Sequence, residues 1–173
     1  MPGLWHAIDA VAAASLKSYV RSAGRYPAGT KRPKAMNHMT PFSLPDAFSI
    51  EFDGIDAEHQ MMVDILNDFA CRIDGGDDGD FETGFADLIR CMTDHFANEE
   101  AYMEQFGYPG LDWHREHHQE CIAVCQGLLD DCRGTGTVKP ETIQACFHQI
   151  VTDVARSDLK FKEFLVEQGH LSG

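Results

Sequence analysis

The chain has 173 residues and a net charge of −14 with histidine neutral, a length that suits one domain with a sizeable core. The charge is uneven: residues 1–35 hold six of the fourteen basic residues and a single acid, Asp9, and the other 27 acids follow. Such a body excludes nucleic acid as a partner, because binding it takes basic surface to replace phosphate counterions.

The largely apolar stretch 7–16 is short, contains Asp9 and has no lysine or arginine before it. It does not read as a secretion signal, and no segment is long enough to span a membrane. The expected location is the cytoplasm, with the six cysteines as free thiols, several of them buried. Cys121 and Cys125 are four apart rather than the three of a CxxC motif, so no thiol metal site or redox pair is expected.

Residues 1–40 read as a basic N-terminal extension. Residues 5–22 suit one basic amphipathic helix, which would dock on the body or touch a membrane surface, and Gly24, Pro27, Gly29 and Pro33 follow as a linker. Residues 41–173 form the main domain. Residues 39–52 read as extended, pinned by Pro41 and Pro45. A first helix is expected from Asp56, where Met62, Ile65, Leu66, Phe69, Ala70 and Ile73 recur at three- and four-residue steps. The run GGDDGD at 75–80 ends it.

A second helix is expected over 81–105, with a stripe that includes Phe85, Leu88, Met92, His95 and Phe96. Gly107, Pro109 and Gly110 break it. A third is expected over 112–132. After a turn at Gly134 and Gly136, Pro140 opens the fourth, which runs to about residue 167. Four long helices with short connections predict an all-α, antiparallel up-and-down four-helix bundle.

The chemistry lies in the histidines and carboxylates. His95 and Glu99 are four apart, as are His114 and His118, so each pair shares a helix face. His59 sits on the first helix, and the fourth offers His148, Asp153 and Asp158. A mixed imidazole and carboxylate set from four helices suits iron, manganese or zinc, and bridging carboxylates can hold two metals close. His117 faces away from the pair formed by His114 and His118 and reads as a surface or supporting residue. Met61 and Met62 read as core fillers.

Three passages carry a resemblance: FSIEFDGIDAEHQMMVDILNDF, HFANEEAYMEQFGYPGLDWHREHH and IVTDVARSDLKFKEFL. In this order they resemble the bacterial hemerythrins, the hemerythrin-like HHE proteins, over roughly residues 45–166. The resemblance implies a non-heme di-iron centre in a four-helix bundle that binds dioxygen for storage, delivery or sensing. It assigns His59 and His95 to the oxygen-binding iron, His114 and His118 to the other, and Glu99 and Asp158 as bridges, with an oxo or hydroxo bridge from solvent.

One family ligand departs from the pattern, which places a histidine five residues before the bridging aspartate. Either His148 and Asp153 are that pair, or Asp158 is the bridge and Asp153 stands in place of histidine. The second register is preferred. DLKFKEFL matches the family text, and His118 lies 35 residues from Asp153, near the 36 that separate His59 from His95, but only 30 from His148. A five-residue step is not a same-face step on an ideal helix, so periodicity favours neither. The expected metal set is therefore His59, His95, Glu99, His114, His118, Asp153 and Asp158.

An aspartate for a histidine adds negative charge and makes manganese or a mixed pair more plausible than in a standard member. Ile55, Met62, Phe96 and Met103 are candidate liners of an apolar oxygen pocket. The alternatives are a di-iron oxidase or peroxidase-like enzyme and a redox-signalling module acting through the N-terminal segment. The partners expected are dioxygen and a reductant or signalling protein.

Overall fold

The computed structural model describes residues 40–75 and 81–171. The expected N-terminal helix and linker, and residues 76–80 of the acidic loop, lie outside the described residues. Helix α1 spans Asp53–Asp74, α2 Phe81–Phe106, α3 Leu111–Thr135 and α4 Pro140–Asp153. A π-helical turn, Val154–Asp158, follows α4 without a break and leads into α5, Leu159–Glu167. The result is a four-helix bundle whose fourth arm is α4, the π turn and α5. Consecutive arms pack side by side, and α1 closes against α4.

The direction of each arm can be read from two apolar clusters that flank a polar layer. One cluster contains Met62, Met92, Phe96, Cys121 and Ile150; the other contains Ile55, Met103, Leu111 and Phe161. Along α1 the second cluster comes first, along α2 the first, along α3 the second and along the fourth arm the first. This alternation is the antiparallel up-and-down order, and it brackets the histidines and carboxylates between two dry ends.

Three details differ from the sequence expectation. Helix α1 begins at Asp53, three residues before Asp56. Asp56 instead ties down the preceding segment: its carboxylate accepts from Ser49 Oγ at 2.7 Å and from the Ile50 amide at 2.9 Å. The segment read as extended contains a 3-10 turn, Asp46–Phe48, set off by Pro45. The fourth helix is not uniformly α, because of the π turn.

The helix ends follow local chemistry. Pro140 occupies the first turn of α4, where its missing N–H costs nothing. Gly107 ends α2 at φ 67, a left-handed conformation suited to glycine, and the next amide bonds back to Met103 O at 2.8 Å. Gly84 serves packing instead. A Cβ there would fall 2.3 Å from a ring carbon of Phe69, so glycine lets α1 and α2 approach closely.

Candidate metal centre

The polar layer draws His59 from α1, His95 and Glu99 from α2, His114 and His118 from α3, Asp153 from the end of α4 and Asp158 from the end of the π turn. None is more than 2% exposed. Seven ionisable side chains buried together cost several kcal/mol each unless something compensates them.

Their spacing shows what would. His59 Nε2 lies 3.1 Å from Asp158 Oδ2, and His114 Nε2 lies 3.4 Å from Asp158 Oδ1. One carboxylate therefore faces two histidines from opposite sides. Glu99 Oε2 meets both His114 Nε2 at 3.1 Å and His118 Nε2 at 3.2 Å. Potential donor atoms gather into overlapping sets: Glu99, His114, His118 and Asp158; His59, His95 and Asp158; and His95, Glu99, Asp153 and Asp158, each within 4.8 Å. Asp158 belongs to all three, as a bridge between two ions would.

Several of these atoms have no hydrogen-bond partner. They include His95 Nε2, Glu99 Oε1 and both oxygens of Asp153. Buried polar atoms left unpaired are rare in native proteins. Their convergence fits cations bound among them, and the donor set of imidazoles and carboxylates fits iron.

Two residues missed by the sequence reading orient this set. Glu58 Oε2 pairs with His95 Nδ1 at 3.0 Å, and its other oxygen accepts from Asn98 Nδ2 at 2.7 Å. Glu100 Oε1 pairs with His118 Nδ1 at 2.9 Å, while Arg115 Nε donates to its Oε2 at 3.2 Å. Each carboxylate accepts a hydrogen bond from Nδ1–H, which fixes the proton there and leaves the Nε2 lone pair facing the layer. Phe96 stacks on the His118 ring, centroids 3.9 Å apart and nearly parallel. The signal for these carboxylates was present as the doublets Glu58-His59 and Glu99-Glu100. Adjacent residues point to different helix faces, so spacing alone did not find them.

The π turn brings Asp153 and Asp158 onto one face of the last helix. Its i to i+5 bonding makes five residues a near-complete turn, so Asp153 and Asp158 both face the layer. His148 is exposed and lies 3.0 Å from Thr152 Oγ1, away from the centre. His117 is half-buried. It reaches Asp153 Oδ1 at 3.5 Å and Cys121 Sγ at 3.7 Å.

The charges sort into pairs. Burial would lower His114, but the adjacent Asp158 and Glu99 carboxylates outweigh it and raise the imidazole to about 9. His59 is likewise raised: Asp158 and Glu99 overcome its burial. Burial and Asp158 push Glu99 up, yet His114 and His118 hold it below its ordinary value. Burial also opposes ionisation of Asp158, but His114 and His59 hold it well below the usual carboxylate range. The histidines nearest Asp153, His117 and His118, stand off at 3.5 and 3.7 Å. Burial first, then Asp158 and Glu99, raise it well above its ordinary value.

Of the expected pocket liners, Ile55, Met62, Phe96 and Met103 are all buried. Met62 and Phe96 lie in one apolar cluster and Ile55 and Met103 in the other, so they seal the layer from both ends rather than forming one wall.

A buried layer of histidines and bridging carboxylates inside a four-helix bundle defines a metal-binding bundle protein. The hemerythrin HHE cation binding domain matches residues 51–165, and the chain belongs to the hemerythrin family. Myohemerythrin of Riftia pachyptila is 28% identical over 126 residues, covering 71% of this chain and 92% of that protein. Myohemerythrin-1 of Phascolopsis gouldii is 27% identical over 128 residues, 70% of this chain and 98% of its own. A bacteriohemerythrin of Ralstonia nicotianae is 32% identical over 71 residues, 41% of this chain and 49% of its own. No solved structure gives a significant match. The family binds a non-heme di-iron centre and dioxygen. Among the described residues, no helix is long and apolar enough to cross a membrane.

Proposed function

We propose that this protein binds dioxygen reversibly at a pair of non-heme iron ions held by His59, His95, Glu99, His114, His118, Asp153 and Asp158. The observation that carries the reading is the convergence of partnerless buried donor atoms, among them His95 Nε2, Glu99 Oε1 and both Asp153 oxygens, in a chain of this family. Glu99 and Asp158 would bridge: Asp158 faces histidines of α1 and α3, and Glu99 faces His114 and His118 of α3 and gathers with His95 of α2. When bound there, ferrous iron would supply the electrons that dioxygen binding requires.

The chain's own residues do the rest. Glu58 and Glu100 hold the His95 and His118 rings with Nε2 inward. The two apolar clusters exclude water, which slows loss of bound oxygen and irreversible oxidation. Asp153 adds a carboxylate where the family pattern has an imidazole. Its charge favours ferric over ferrous iron and widens the metal choice toward manganese or a mixed pair. All six cysteines are free thiols, which suits a reducing cytoplasm and supply of electrons from a cellular reductant. Family membership favours oxygen binding over the oxidase and signalling alternatives.

The test is an optical titration of the reduced, iron-loaded protein. A visible charge-transfer band that appears with oxygen and disappears when oxygen is removed is expected. Direct and irreversible passage to the oxidised spectrum would overturn reversible binding, and failure to retain two irons per chain would overturn the metal assignment.

A further inference from the structure

Beside the iron ligands lie two donors that the expected di-iron centre does not use, His117 and Cys121, gathered around one ligand that it does use, Asp153. His117 and Cys121 are one helical turn apart on α3 and present their side chains to Asp153 of α4. His117 Nε2 lies 3.7 Å from Cys121 Sγ and 3.5 Å from Asp153 Oδ1, and donor atoms of all three residues fall within 4.8 Å of one another. A tetrahedral zinc ion with bonds of about 2.3 Å to sulfur and about 2.05 Å to nitrogen or oxygen sets its ligands about 3.6 Å apart for nitrogen and sulfur, and about 3.3 Å for nitrogen and oxygen. Both observed separations are close to these edges.

The ordinary explanation, a thiol hydrogen-bonded to an imidazole, accounts for Cys121 and His117 but not for Asp153. That carboxylate is 1% exposed, and neither oxygen has a hydrogen-bond partner. Its Oδ1 is also 3.7 Å from His118 Nε2, so Asp153 stands between the iron pair and the His117–Cys121 pair. Having two oxygens, it can face both.

We propose that His117, Cys121 and Asp153 form a third cation site, of zinc-binding type, sharing Asp153 with the iron pair. One nitrogen, one thiolate and one carboxylate select a borderline cation such as zinc or ferrous iron over magnesium or calcium. Three protein ligands leave the fourth position to water, the pattern of an exchangeable rather than a purely structural site. Cys121 and Asp153 are buried, whereas the His117 side chain is 13% exposed and forms the contact with solvent. The Trp113 ring lies parallel to the imidazole at 5.9 Å between centroids. The absence of a CxxC spacing argues against a two-thiol site but not against one thiol joined to a histidine and an aspartate from another helix.

The test uses the full chain, metal-stripped and iron-loaded, with cobalt(II) as the optical probe and zinc measured by competition with a chromophoric chelator. Wild type is expected to show a thiolate-to-cobalt absorption band and to bind one zinc per chain beyond its two irons. Cys91→Ser, at a buried thiol outside the triad, should keep the band. Cys121→Ser should lose it, and Cys121→Ser and His117→Gln should each weaken zinc binding at least tenfold. His117→Gln leaves the buried Cys121 side chain in place and alters a residue that reaches solvent, so it tests the site independently of Cys121→Ser. No thiolate band in wild type at saturating cobalt would overturn the proposal, as would a band that survives Cys121→Ser. Iron content is read separately. A wild type that binds zinc with the thiolate band but retains no iron would refute the iron reading and leave the third site standing.

Discussion

Glu58 offers a direct test of how the bundle prepares His95 as a ligand. Its carboxylate accepts from two donors, His95 Nδ1 at 3.0 Å and Asn98 Nδ2 at 2.7 Å, and the residue is 5% exposed. In Glu58→Ala the Nδ1 proton loses its acceptor in a buried place. The ring then has reason to rotate or to move its proton to Nε2, which removes the lone pair that faces the centre. A lost hydrogen bond to a charged partner is worth about 1.5–3 kcal/mol, or roughly a 10- to 100-fold change in affinity at about 1.4 kcal/mol per tenfold. Losses of that size are typical when an outer partner of a ligand histidine is removed. Glu58→Gln should do less. Its amide oxygen can accept from His95 while Asn98, half-buried and able to turn its own amide over, meets the new NH2 group. The assay is ferrous-iron competition with a chelator under anaerobic conditions, with helicity checked in parallel. The expected order is wild type, Glu58→Gln within about tenfold, then Glu58→Ala at about 10- to 100-fold weaker. Equal losses in the two variants would show that only the charge matters. No loss in Glu58→Ala would refute the orienting role altogether.

Three further outcomes follow from the same geometry. Gly84→Ala should destabilise the bundle: overpacking against Phe69 costs about 1–3 kcal/mol, and better helix propensity returns about 1 kcal/mol at most. A denaturation midpoint equal to or above wild type would show that Phe69 yields freely. In the metal-free protein, His114 is raised from 6.5 to about 9, so its contribution to stability is full below 6.5 and is lost as pH rises through 9. Urea unfolding across that window should show falling stability, and proton release on metal uptake should be measurable there; a flat profile with no proton release would contradict the pairing with Asp158 and Glu99. Asp153→His removes a negative charge beside the iron pair and should raise its reduction potential, read by redox titration. An unchanged or lower potential would sink the charge argument.

What the sequence showed and what it hid can be traced to helix period. The α1 stripe from Met62 to Ala70 recurs at three and four residues, and every member of it expected in the core is buried except Ile73, which is half-buried near the helix end. The pairs His95/Glu99 and His114/His118 obey the same step and meet in one layer. Asp153 and Asp158 do not obey it. Their five-residue separation becomes a shared face only because Val154–Asp158 is wound as a π turn, and no residue in VARSD announces that winding. Such turns concentrate at functional sites because they cost stability that ordinary helix packing gives no reason to spend. The compensation here lies outside the helix, in the histidines of α1 and α3 that meet Asp158 at 3.1 and 3.4 Å. Residues next to a ligand in sequence are hidden for the opposite reason. Glu58 and Glu100 sit about 100° around the helix from His59 and Glu99, so they do not point into the layer. They reach histidines of neighbouring helices from behind, and that relation exists only once the bundle has closed.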